Sequence, residues 1–152
     1  MLKLVFLGAC VLLTSAAPYN PSRKAEALFR VINRPTAQLA EMLKDDQELR
    51  GGFQKAMSVI VDFTMTPKER KAALQTVMEV KNEEMTKQIE MVIPLYESIR
   101  ALIVETFFPR NPELGARFFE EALFLIVDDG YIEATTEDRR LQLESLISKY
   151  VL

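Results

Sequence analysis

Three observations predict an all-α fold, a single-domain bundle of six to seven helices. Apolar residues recur three and four positions apart through nearly every segment after residue 22, the spacing that lines one face of a helix. Thr66-Pro67 and Asn111-Pro112 place a capping side chain and then proline just ahead of such runs, which is helix-start chemistry. No segment alternates apolar and polar as a half-buried strand does, and five glycines supply few hairpin turns.

The first element is not part of that bundle. Met1-Leu2-Lys3 is a short basic start, Leu4 to Leu13 is almost unbroken apolar sequence, and Thr14-Ser15-Ala16-Ala17 is small. This is the layout of a secretory signal peptide, residues 1–17. The apolar run has about half the ~20 residues a membrane span needs, and no second such run follows it. Pro18 disfavours a cut directly before it, so cleavage after Ala16 is expected. Leu7-Gly8-Ala9-Cys10 has the look of a lipoprotein cleavage box. However, only six residues separate Lys3 from Cys10, and the apolar run continues past it. The expected mature protein is residues 18–152, a secreted, extracellular domain with no stable membrane anchor.

The helices follow in order. Ser22 is placed to cap a first helix bearing Ala25, Leu28, Phe29 and Ile32, with Pro35 as its stop. Thr36 caps a second, with Leu39, Ala40 and Leu43 on one face and Gly51-Gly52 as its end. A third covers about residues 53–63, with Phe53, Ala56, Met57 and Ile60 inward. Thr66-Pro67-Lys68-Glu69 is a capping box. Helical pattern then persists to Phe108 through Leu74, Met78, Met85, Ile89, Val92, Tyr96, Ile99, Ile103 and Thr106. Pro94 falls inside this stripe, and interior proline costs about 3 kcal/mol. A kink or break near Pro94 is expected, and the unbroken phase of the stripe favours a kink. Asn111 caps the next helix, with Leu114, Phe118, Ala122 and Ile126 on its apolar face and Asp128-Asp129-Gly130 at its end. Thr135 or Thr136 caps a last one carrying Leu141, Leu143, Leu146, Ile147 and Tyr150.

Composition narrows the chemistry. The chain is 49% hydrophobic and 27% charged, a folding composition. Removing Lys3 with the signal takes the formal net charge from −3 to −4. No basic stripe exists to neutralise phosphates, so nucleic acid is not an expected partner. There is no histidine, and the one cysteine, Cys10, lies in the signal. Without them there is no Ser-His-Asp triad, no thiol chemistry and almost no route to a protein zinc site. No glycine-rich phosphate loop is present, and no cofactor is expected.

Three constellations remain. Paired carboxylates (Asp45-Asp46 with Glu48, Glu83-Glu84, Glu120-Glu121, Asp128-Asp129) are the raw material of a carboxylate-based hydrolase, but solvated helix faces use the same residues. Asp129-Gly130-Tyr131-Ile132-Glu133 resembles the middle of an EF-hand loop. The first and third loop positions would be Phe124 and Ile126, which carry no ligand oxygen. Asp128, Asp129 and Glu133 therefore make at best a weak divalent-cation site within the Asp128-Glu137 loop, and Gly130 reads more simply as a left-handed helix end with Ile132 tucked into the core. Third, Phe107, Phe108, Phe118, Phe119 and Phe124 crowd one region, beside the Met85-Ile103 stripe. Adjacent helical residues point about 100° apart, so both members of a phenylalanine pair are buried only on a widely covered helix. Otherwise one of each pair faces a cavity or a partner.

Met65-Thr66-Pro67-Lys68-Glu69-Arg70-Lys71-Ala72-Ala73-Leu74, behind a signal peptide in a small helical chain, resembles the nematode SXP-type secreted antigens. The likeness covers little more than ten residues and implies no site and no activity. The residues themselves predict a secreted, non-enzymatic binding protein. Its partner would be an unknown protein or an apolar small molecule, met by Tyr96, Ile99, Ile103, Phe107, Phe108, Phe118 and Phe119.

Overall fold

The computed structural model describes residues 21–78 and 83–151, and the expected signal peptide lies outside the described residues. Those residues form seven helices and no strand, the expected all-α bundle. The helices are α1 (Pro21–Asp45), α2 (Gln47–Ile60), α3 (Pro67–Val77), α4 (Glu83–Phe107), α5 (Pro112–Ile126), α6 (Asp129–Ile132) and α7 (Thr136–Tyr150). α1 is the hub and packs on α2, α4, α5, α6 and α7. Leu28, Phe53, Ile60, Leu74, Ile89, Ile103, Phe118, Tyr131 and Leu143 are among the side chains sealed in one core.

The local helix starts follow their sequence chemistry. The Thr66 hydroxyl accepts from the Glu69 amide at 3.2 Å, and the Glu69 carboxylate accepts from the Thr66 amide at 3.0 Å, closing the capping box. Asn111 and Thr135 cap α5 and α7 in the same way, accepting from the amides of Leu114 and Asp138.

Where the chain departs from expectation, packing has overruled a local signal. Pro35 does not stop a helix, because α1 runs through it from Pro21, which also puts Ser22 inside the first turn. Val31, Ile32, Thr36, Leu39, Ala40 and Leu43 keep one buried face in phase across the proline. Thr36 caps nothing. Its hydroxyl sits within 2.8 Å of the Ile32 carbonyl and 2.9 Å of the Asn33 carbonyl, donating back into its own helix.

The chain breaks instead at Asp46, whose carboxylate accepts from the Leu49 amide at 3.0 Å and caps α2. Gly51 and Gly52 lie inside that helix. Gly52 is there for close approach, since a Cβ on it would fall 2.3 Å from the Met85 sulfur of α4. Pro94 is inside a continuous helix, on an exposed face of α4, so of the two outcomes expected there, a kink or a break, the break does not occur. The stripe leading to it is not one helix, since α3 ends at Val77 with Met78 as its C-cap.

Gly130 is not a left-handed terminator. It lies in α6, with a backbone that other residues adopt, and Asp128 caps that turn by accepting from the Gly130 amide at 3.0 Å. Ile132 is fully buried, as expected. Buried Arg139 pins this corner to the bundle. Its guanidinium donates to the Tyr131 carbonyl at 3.0 Å, to the Ile132 carbonyl, and to Glu41 of α1 at 2.6 Å.

Candidate functional site

A small apolar cleft opens where α1, α4 and α5 meet. Each helix brings one stripe at helical spacing. Ile32, Pro35, Thr36 and Leu39 come from α1, Tyr96 and Ile99 from α4, and Phe119, Ala122, Leu123 and Ile126 from α5. Its volume is about 40 Å³. One water needs ~10–15 Å³ by that measure, so the cleft has room for about three small atoms. No charged side chain lines it.

Only two lining side chains carry a polar atom. The Thr36 hydroxyl is occupied, because it bonds its own helix and accepts from the Tyr131 hydroxyl at 3.2 Å. The Tyr96 hydroxyl is different. Tyr96 is 6% exposed, and among the described residues no group hydrogen-bonds its buried oxygen. Burial pushes its ionisation well above the usual phenol range, so it stands as a neutral donor.

Of the seven residues expected to form an apolar site, the structure brings Tyr96, Ile99 and Phe119 to this cleft. Ile103, Phe107, Phe108 and Phe118 are core. Phe118 packs between Phe108, tilted at 5.9 Å, and Tyr150, edge-on at 5.4 Å, while Phe119 meets Phe63 at 6.0 Å. Both members of each phenylalanine pair are thus buried, Phe118 and Phe119 on α5, Phe107 at the end of α4 and Phe108 just past it. Phe124 is 47% exposed and stands apart. The α1 wall and Ala122, Leu123 and Ile126 were legible as helix faces, and nothing in their spacing marks them as a site. A proline inside an otherwise unbroken apolar stripe was the available hint.

The acidic corner is bound to arginine. Asp129 accepts from Arg50 at 3.4 Å and from Gln54 at 2.9 Å, and Glu133 accepts from Arg50 at 2.6 Å. Asp128 is engaged as a helix cap. Among the described residues, no three acids gather as a group suited to a metal ion.

A second, polar cleft of about 200 Å³ lies between α3 and α4, lined by Lys71, Gln75, Glu83, Thr86, Lys87 and Glu90. It holds two carboxylates. Glu83 and Glu90 are seven residues apart on one helix, a rise of about 10 Å. Paired glycosidase carboxylates sit about 5–9.5 Å apart. Of the acid pairs expected from the sequence, only Glu83 lines it.

Among the described residues, no helix is long and apolar enough to cross a membrane. No protein-family model matches the chain, and no curated protein or solved structure matches it significantly. Residues 65–74 are the capped start of α3, and the cap accounts for Thr66, Pro67 and Glu69.

Proposed function

We propose that this chain is an exported, non-enzymatic protein that binds an apolar ligand in the cleft between α1, α4 and α5. The observation that carries the reading is the cleft itself, an uncharged pocket in which Tyr96, Ile99 and Phe119 meet the face of α1 around Pro35. Export rests on the signal layout of residues 1–17. Two other readings have less support. A two-carboxylate hydrolase would have to work with Glu83 and Glu90 two turns apart. A cation at Asp128, Asp129 and Glu133 would have to displace Arg50.

The test is a native mass spectrum of the full chain, expressed in eukaryotic cells and recovered from the medium. The expected result is a chain beginning at Ala17 or Pro18, carrying an apolar adduct that leaves on denaturation. Ala122→Leu adds three carbons to the cleft wall and is expected to carry none. An uncut chain retained in the cells would refute export. Bare wild-type protein, or an equal adduct on Ala122→Leu, would refute binding at this cleft.

A further inference from the structure

We propose that Met91 is a redox-modification site, at which a hydroperoxide-class oxidant converts the thioether to the sulfoxide while the fold stays intact. The proposal is independent of the apolar cleft.

Composition directs such an oxidant to methionine. Residues 18–152 contain no Cys, no His and no Trp, so thioethers are the most readily oxidised side chains there. Exposure then separates one sulfur from the rest. Met91 is 77% exposed and Met42 43%, Met65 and Met78 are half-buried, and Met85 and Met57 are 8% and 4% exposed. The placement of Met91 follows from helical period. Met85, Ile89, Ile93 and Tyr96 form the buried face of α4. Met91 stands on the opposite face with Glu84, Lys87, Gln88 and Pro94, all exposed.

The step is an oxygen-atom transfer. A sulfur lone pair attacks one peroxide oxygen and the O–O bond breaks. The proton of the transferred hydroxyl goes to the departing hydroxide, which leaves as water. Sulfur loses two electrons and the peroxide gains them. At Met91 the new oxygen faces water and displaces no packed neighbour. At Met85 the same oxygen has no room on the side toward α2, because a Cβ on Gly52 would already fall 2.3 Å from that sulfur. A buried thioether meets the oxidant only when the chain opens locally, so Met57 and Met85 are protected for as long as the bundle holds.

The test treats purified protein, expressed as the full chain, with hydrogen peroxide and follows each methionine over time by peptide mass mapping. Met91 is expected to convert first, with Met57 and Met85 at least about tenfold slower. Protein oxidised at Met91 alone is expected to melt within about 2 °C of untreated protein, as for a change at an exposed surface site. Met91→Leu should fold as wild type and lose the fastest conversion. In denaturing urea the six methionines from Met42 to Met91 should react alike. Conversion of Met42, Met57 or Met85 as fast as Met91 in the folded protein would overturn the assignment. So would a rate advantage of Met91 that persists in urea, since folded exposure would then not be its cause. A large drop in melting temperature on oxidation of Met91 alone would contradict a modification that the fold tolerates.

Discussion

Adjacent glycines in α2 are expected to respond to alanine with opposite signs. Gly51 and Gly52 are the fifth and sixth residues of the helix, well inside it. At Gly51 an added Cβ meets nothing within 4 Å, and the backbone is one that alanine adopts. Gly51→Ala therefore gains helix preference without a clash, about 0.5–1 kcal/mol. At Gly52 the same gain is opposed by a Cβ 2.3 Å from the Met85 sulfur and 3.2 Å from the Met78 methyl. The Met78 methyl is the end of a flexible chain and can move. The Met85 sulfur lies mid-chain on a buried residue, so Met85 must change rotamer or α4 must back away. Overpacking of this kind costs about 1–3 kcal/mol, which leaves Gly52→Ala about 1–2 kcal/mol less stable. At ~3–5 °C per kcal/mol for a domain of this size, thermal melts followed by circular dichroism should separate the two variants by about 5–15 °C. A Gly51→Ala variant that melts below wild type would show that the helix ends at the glycine pair. Equal shifts in the two variants would show that α2 and α4 do not approach as described.

Further outcomes follow from the same packing. Arg139→Met keeps the side-chain stem but leaves the buried Ile132 carbonyl without that donor, so a loss of about 2–3 kcal/mol is expected in a urea melt. Wild-type stability within 0.5 kcal/mol would contradict it. Glu41, Asp62 and Glu137 titrate below their ordinary values, held down chiefly by hydrogen bonds from Arg139, Thr64 and Arg140. A depressed carboxylate stabilises above its unfolded pKa and loses that contribution as pH falls. Tm should therefore drop below about pH 4.5 and drop less steeply in Arg139→Met, where Glu41 has lost its partner. Identical acid profiles in the two proteins would remove Glu41 from the explanation. Thr66→Ala opens the capping box and is expected to cost about 1 kcal/mol, read from the shift in urea midpoint. No shift would mean that the start of α3 carries no share of the global stability.

The legible parts of this fold are those decided within one turn of chain. Thr66, Asn111 and Thr135 cap helices because a side-chain oxygen and an amide two or three residues on are neighbours in any context. The inward faces of α2 and α5 could be read for a similar reason, since helical period alone puts Phe53, Ala56, Met57 and Ile60, or Phe118, Ala122 and Ile126, on one side.

Pro35 and Gly51-Gly52 each carry a local breaking signal that a tertiary contact outweighs, whereas Gly130 sits in a new turn opened by a local cap. α1 keeps its buried face across Pro35, Gly52 admits Met85, and Asp128 caps the turn that holds Gly130. The candidate site was half legible for the same reason. Tyr96, Ile99 and Phe119 stood out on their own helices. Their meeting with Ile32, Pro35 and Leu39 depends on how α1 crosses α4 and α5, which no spacing within either helix encodes. Phe108 and Phe118 have the same sequence signature as Phe119 and are simply core.

The apolar cleft is tested most directly by titrating wild-type protein and Ala122→Leu with xenon, a single apolar atom of a size the cleft admits, and reading methyl NMR shifts. Ala122 is buried in the cleft wall, and leucine there adds three carbons to a space for about three atoms. Wild type should bind one equivalent. Ala122→Leu should bind at least about tenfold more weakly while melting no lower, because cavity filling adds about 0.5–2 kcal/mol of stability. Equal affinity in the two proteins would place the xenon elsewhere and contradict a binding site between α1, α4 and α5.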